Sequence, residues 1–234
     1  MKVKQSSLAR RGESLRLAIS RRVHRGLVKF GIEVVPVGDR STHLEQIRRT
    51  MSEANLLLNG CEAYQLMEVA RTTARVAGDL AEVGVFQGGS AKLICHVKGE
   101  RALHLFDTFE GLPEPTAADV HSRFWGSEFS AQMDAVRAYL AEYKNVTFYK
   151  GLFPMTAGPV SDRKFSFVHL DVDLYESTKA SLEWFYSRLS PGAVVMCHDY
   201  DHSGVRKAVD EFLADKPEIA IHQPAGGHCL IVKL

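Results

Sequence analysis

The sequence predicts a doubly wound α/β fold, a mostly parallel seven-stranded sheet with helices on both faces and a helical extension at the N-terminus. Three observations carry this prediction. From residue 80 onward, short runs rich in apolar and β-branched residues alternate with segments of helical length. A glycine-rich turn, Gly84 to Gly89, joins the first run to the first of those helices. The run Phe165–Leu170 is largely apolar, as in a strand buried on both faces, yet it leads straight into two acids, Asp171 and Asp173. Acids have no use inside such a strand, but they make chemical sense at its carboxyl tip, where open α/β sheets bind ligands.

The elements follow in order. Residues 1–30 hold nine Lys and Arg against one acid, a net +8, which leaves −7 on the rest of a 234-residue chain whose total is +1. Within this arm Leu15, Ala18, Ile19, Val23, Leu27 and Phe30 recur at helical spacing, with arginines opposite. The expectation is a helix packed on the domain or on a second subunit of a homo-oligomer; contact with an anionic membrane surface is the rival reading. Nucleic acid is not expected, because no aromatic platform accompanies the charge. The arm has no apolar core of a secretory signal, and nothing else in the chain supports its superficial likeness to a transit peptide.

A connector with Pro36 and Gly38 leads to Thr42-His43-Leu44-Glu45, which reads as a capping box opening a helix with Leu44, Ile47, Met51 and Leu58 inward. Asn59-Gly60 breaks it, and a second helix is expected over 61–76. Residues 1–77 are thus expected to form a basic arm with helices serving as lid or oligomerisation element, and 78–234 the sheet domain. Candidate strands are 80–86, 102–107, 145–149, 165–171, 193–198, 218–222 and 228–233, with helices at 89–98, 128–143, 175–189 and 203–214. Only residues 223–227 separate the last two strands, too few for a parallel crossover, so they should form a hairpin. The stretch 111–126 after the second strand is long enough for a lid, with a flexible surface excursion as the alternative, and includes Phe124 and Trp125.

No run of about 18 apolar residues is present, so no membrane span is expected. Cys61, Cys95, Cys197 and Cys229 are far apart with no C-x-x-C pair, which argues against a zinc site or disulfide framework and for a reducing, cytoplasmic setting.

The chemistry concentrates in three places. Glu82-Val83-Gly84-Val85-Phe86-Gln87-Gly88-Gly89-Ser90 leaves a strand and opens a helix, whose free N–H groups suit an anion. Its G-x-x-x-G-G spacing departs from the G-x-G-x-x-G of dinucleotide sites, which counts against a nicotinamide-dependent oxidoreductase. Glu82 suits an ammonium instead, and a ligand with both carboxylate and ammonium is S-adenosylmethionine. Asp107, ending the second strand, is placed to accept from two ribose hydroxyls; its alternative is to cap the turn Thr108–Gly111. The third place is the acidic tip, with His198-Asp199 ending the next strand. His169 reads as a hydrogen-bonded core histidine, and Asp201 and His202 are alternative ligands or base.

Taken together, the stretch from Glu82 to Ser90, Asp107-Thr108-Phe109-Glu110-Gly111-Leu112-Pro113, Leu170-Asp171-Val172-Asp173-Leu174-Tyr175 and Asp199-Tyr200 resemble the macrocin O-methyltransferase family over roughly residues 60–215. The resemblance implies a Rossmann-like class I methyltransferase that moves a methyl group from S-adenosylmethionine to a hydroxyl of a sugar or polyhydroxylated natural product. It also implies a divalent cation, magnesium first and manganese second. Carried onto matching positions, it puts the cofactor on Glu82, Gly84, Gly88, Ser90, Asp107 and Thr108, the metal on Asp171, His198 and Asp199, and the proton acceptor on Asp173. His198 departs from the pattern, which usually has an acid there; imidazole suits manganese, iron or zinc better than magnesium. That departure keeps a further alternative open, a non-catalytic cofactor-binding protein on the same fold.

Overall fold

The structure, a computed structural model, describes residues 41–119, 126–223 and 226–234. The basic arm of residues 1–30, and Phe124 and Trp125 of the long loop, lie outside the described residues. Seven strands form one sheet: β1 (Asp79–Val83), β2 (Leu103–Asp107), β3 (Val146–Lys150), β4 (Phe165–Leu170), β5 (Leu189–Cys197), β6 (Ala220–His222) and β7 (Cys229–Val232). Their spatial order is β3-β2-β1-β4-β5-β7-β6. The first five in that order are parallel, while β7 runs antiparallel to both β5 and β6. The chain thus closes with the expected hairpin, and strand order reverses between β1 and β4, which leaves a crevice at their carboxyl ends.

β4 is buried at every position, which is why its sequence shows no polar alternation. The helices are α1 (Ser41–Glu53), α2 (Gly60–Thr72), α3 (Gly89–Val97), α4 (Met133–Tyr139), α5 (Tyr175–Tyr186) and α6 (Ser203–Leu213). On one sheet face Leu66 and Met67 of α2 and Leu93 and Ile94 of α3 meet Leu80, Leu105, Phe167 and Met196. On the other, Leu182 and Phe185 of α5 and Val205 and Val209 of α6 meet Val168, Leu170, Val195 and Ile231. Each fully buried Phe or Leu of these layers contributes about 1.5–3 kcal/mol. Ile47 of α1 joins the first layer, and His43–Leu234 forms one compact unit.

Three boundaries differ from expectation for identifiable reasons. β5 begins at Leu189, because Pro191 and Gly192 are carried as a bulge at a register shift between Phe165 and Phe167 of β4. α4 covers only seven residues: Ser127 (φ 69°) and Phe129 (φ 61°) are left-handed and cannot start a helix earlier. α1 ends at Glu53, short of Leu58, so Asn59 does not break that helix but opens α2. Its side chain accepts from the backbone N–H groups of Cys61 and Glu62, and Glu62 accepts in return from the Asn59 N–H, a complete capping box for α2.

The hairpin end is tied by Glu218, which accepts hydrogen bonds from Lys233 Nζ (2.6 Å) and Tyr186 Oη (2.9 Å). Burial would raise its carboxyl, but these bonds and two backbone bonds outweigh it and bring it from 4.5 down to about 2. A depressed carboxyl stabilises the fold above its unfolded value and loses that contribution as pH falls through its folded value. Urea unfolding between pH 4.5 and 2 is therefore expected to show a shallower loss of stability in Glu218→Gln than in the native chain; parallel profiles would mean the pair contributes nothing.

No helix among the described residues is long and apolar enough to cross a membrane.

Candidate active site

A cavity of about 310 Å³ opens at the carboxyl ends of β1, β2, β4 and β5. It is lined by Gly84, Ser90, Asp107, Thr108, Asp171, Asp173, His198 and Asp199, so eight of the ten residues singled out from sequence meet in one cleft. Glu82 and Gly88 are not among its lining residues. Glu82 is fully buried, with Oε1 2.9 Å from His169 Nδ1. Burial pushes its carboxyl up, opposed by His169 and by Ser90. Gly88 is left-handed at the head of α3, against Val136.

Gly84 has a structural duty. At φ +86° it lies against the backbone of Asp171, and a Cβ there would collide with the Asp171 carbonyl oxygen. The glycine loop and the acidic strand tip are therefore in backbone contact. Asp107 braces the same loop: Oδ2 accepts from the N–H groups of Val85 (2.6 Å) and Phe86 (2.8 Å), and Oδ1 from Phe109 N–H (2.6 Å). Oδ2 is filled by its two bonds, and Oδ1 keeps one lone pair beyond its bond to Phe109. Thr108 closes its own turn, donating to Gly111 O and accepting from Glu110 N–H. Phe86 and Phe129 meet edge to face over the cleft, with ring centroids 5.7 Å apart.

Four cleft residues, Phe86 (φ 48°), Phe129 (φ 61°), Asp173 (φ 61°) and Asp199 (φ 56°), hold left-handed backbone despite having side chains. Such conformations cost free energy and cluster at sites where a side chain must be aimed. At Asp173 and Asp199 the turn brings acids from β4 and β5 together around His198. His198 Nδ1 lies 3.0 Å from Asp171 Oδ1 and 2.8 Å from Asp199 Oδ2, and Nε2 lies 3.9 Å from Glu62 Oε1. Desolvation works to lower the His198 imidazole, but Asp171, Asp199 and Glu62 hold it well above its usual range. Burial works to raise Asp171, and His198 keeps it well below the carboxylate range. Asp173 goes the other way: burial first, then the Asp171 and Asp199 charges, push it well above. Two carboxylates of one cluster are thus driven apart, a pattern that separates an ionised ligand from a proton acceptor.

Asp171, His198 and Asp199 each offer one ligand atom, all within 4.8 Å of one another. Two carboxylate oxygens and one imidazole nitrogen converging in this way fit a divalent cation. Asp199, Asp201 and His202 make a second such group that shares Asp199.

Two residues of the site were not singled out from sequence. Glu62 comes from α2, 109 positions from Asp171 in the chain, and accepts from Gly227 N–H (3.1 Å) as well as from Asn59. The Asn59–Glu62 capping spacing was its available signal. Asp119, in the long loop after β2, is buried; it accepts from Tyr175 N–H (2.8 Å) at the head of α5 and from Thr116 N–H and Oγ1 (3.0 Å each). A Cβ on Gly204 would collide with it. The loop that could only be read as a lid or an excursion is pinned at Asp119 beside the acidic tip, and its root, Gly111 to Pro113, lines the cleft.

A family model described as Macrocin-O-methyltransferase (TylF) matches residues 62–224. The 8-demethyl-8-(2,3-dimethoxy-alpha-L-rhamnosyl)-tetracenomycin-C 4'-O-methyltransferase of Streptomyces olivaceus is 35% identical over 153 residues, 58% of each chain. Demethyldecarbamoylnovobiocin O-methyltransferase of Streptomyces niveus is 31% identical over 157 residues, 59% of each chain. The match therefore spans less than two thirds of the length of either relative. Among solved structures, the O-methyltransferase NovP superposes with a TM-score of 0.63 at 26% identity, covering 73% of this chain and 78% of that one.

Proposed function

From the premise that the chain belongs to the macrocin-O-methyltransferase (TylF) family, we propose that it is an S-adenosylmethionine-dependent O-methyltransferase acting on a hydroxyl of a sugar-bearing or polyhydroxylated natural product, assisted by a divalent cation. The observation that carries this reading is that the glycine loop and the acid cluster line one cleft and touch through Gly84 and Asp171. The two relatives support the acceptor class, since one is named for the 4'-O position of a rhamnosyl-tetracenomycin and the other for demethyldecarbamoylnovobiocin.

When bound, S-adenosylmethionine supplies a sulfonium methyl group that needs no further activation. A divalent cation held by Asp171, His198 and Asp199 would polarise the acceptor hydroxyl, and manganese suits this mixed donor set better than magnesium. The protein's part is binding, orientation and proton removal. Ser90 and the loop around Gly84 and Phe86 face the cofactor side of the cleft, and Asp107 holds that loop in shape while the lone pair left on Oδ1 serves a ribose hydroxyl. Asp173 takes the proton from the acceptor hydroxyl as its oxygen attacks the methyl carbon; its raised carboxyl makes it a stronger proton acceptor than a free aspartate. Holding the reactants in line supplies much of the remaining rate. The free cysteines fit a reducing compartment, and on that basis the reading assigns the enzyme to the cytoplasm.

Calorimetry with S-adenosylhomocysteine tests the reading: saturable binding to the folded chain is expected, and its absence at millimolar ligand rejects it. A second reading concerns the cation alone. His198 already lies between Asp171 and Asp199, so its imidazolium is an internal counter-ion to both. Turnover abolished by a chelator and restored by manganese supports the cation; turnover indifferent to chelator assigns the counter-charge to His198.

A further inference from the structure

Behind the cleft, ionisable side chains form a row across four neighbouring strands. Glu82 and His169 are register partners on β1 and β4. His198 follows β5 and His228 precedes β7, each one residue beyond the paired Cys197 and Cys229. The ring centroids of His169 and His228 are 6.0 Å apart, and those of His228 and His198 are 4.8 Å apart at an interplanar angle of 61°. Glu82, His169 and His228 are each 0% exposed. Even so, Glu82 Oε2, His169 Nε2 and both ring nitrogens of His228 have no hydrogen-bond partner among the described residues.

An unpaired buried polar atom costs on the order of 1–3 kcal/mol, and native interiors almost never leave neighbours unpaired together. Something must serve these four atoms. A metal ion does not fit: among the described residues, the groups converging within ligand reach are Asp171–His198–Asp199 and Asp199–Asp201–His202, and neither includes Glu82, His169 or His228. An organic ligand has no opening to a fully buried row. Water fits, because it both donates and accepts and spans ring separations too long for a direct bond. Sites of this kind, with two to four polar partners, are where buried water is found. Neutral imidazoles offer one donor and one acceptor each, which a water can match.

We propose that ordered water bound among Glu82, His169 and His228 completes this row, and that His228, anchored by it, is a positioning residue for His198. The His228 ring meets the His198 ring edge to face, with centroids 4.8 Å apart. With His228 fixed through water to His169 and Glu82, the His198 imidazole is braced with Nδ1 aimed at the two acids. Glu82 acquires a role on this account even though it does not line the cleft. Neither test below measures methyl transfer, so its failure is distinct from failure of the functional reading.

A high-resolution crystal structure of the full chain is expected to show water within hydrogen-bond distance of His169 Nε2 and a ring nitrogen of His228; a dry gap there overturns the proposal. Histidine-labelled nitrogen NMR, with the His198 signals assigned by their loss in His198→Asn, tests the bracing. His228→Leu should shift the His198 ring signals, and His228→Gln, which can still bond the water, should keep them near their native positions. Unchanged His198 signals in folded His228→Leu, or equal shifts in both variants, overturn the positioning role. Should the Leu variant not fold, the crystallographic water together with native-like His198 signals in the Gln variant supports the proposal, and the lack of either overturns it.

Discussion

Asp173→Asn is expected to bind S-adenosylhomocysteine as the native chain does and to transfer methyl groups about 100- to 10,000-fold more slowly, the usual worth of a general base. The substitution keeps the size and shape of the side chain and removes its proton-accepting oxygen charge. Asp173 is the one member of the acid cluster whose carboxyl is driven upward by burial and by Asp171 and Asp199, while Asp171 is driven downward by His198. Its backbone, at φ 61°, is one that asparagine also tolerates, so the fold should survive the change. Stopped-time product analysis by mass spectrometry, with binding measured separately by calorimetry, checks both halves. Normal turnover would remove Asp173 as the base and direct attention to Asp199 or His202.

Gly84→Ala is expected to destabilise the chain by more than about 3 kcal/mol, or to prevent folding. Left-handed backbone alone costs a residue with a Cβ roughly 1–2 kcal/mol. At Gly84 the new methyl group also meets the Asp171 backbone, which cannot turn away as a side chain would. Gly99→Ala is the control: Gly99 has φ +61° and nothing within 4 Å of the added Cβ, so only the conformational cost remains. Urea unfolding of the two variants separates the contributions. Equal losses would mean that the close approach of the glycine loop to the acidic tip is not a structural requirement.

Much of this site was legible in sequence because its residues sit at strand tips. A buried parallel strand writes an unbroken apolar run, so Asp171 and Asp173 stand out after Phe165–Leu170, and a glycine loop after β1 marks where backbone must pass close to something. The identity of that something was not legible: Gly84 yields to the Asp171 carbonyl, a contact between strands 87 positions apart in sequence. Glu62 and His228 were missed for a similar reason. A glutamate on a helix and a histidine near the chain end gain meaning only when the sheet order brings α2 and β7 beside β5. The strand expected from residue 193 begins at Leu189, because tertiary pairing carries Pro191-Gly192 as a bulge inside β5. Glu82 had a plausible role facing a ligand's ammonium, but its place in β1 turns it to His169 under the cleft.

The central claim is that one cleft brings the methyl donor to the acid cluster. A crystal structure of the chain with S-adenosylhomocysteine tests it most directly. The amino-acid part of the ligand is expected on the loop from Gly84 to Ser90, the ribose at Asp107, and the sulfur facing the side of the cleft that holds Asp171, Asp173 and His198. A ligand bound elsewhere, or bound with its sulfur directed away from those three residues, would contradict it.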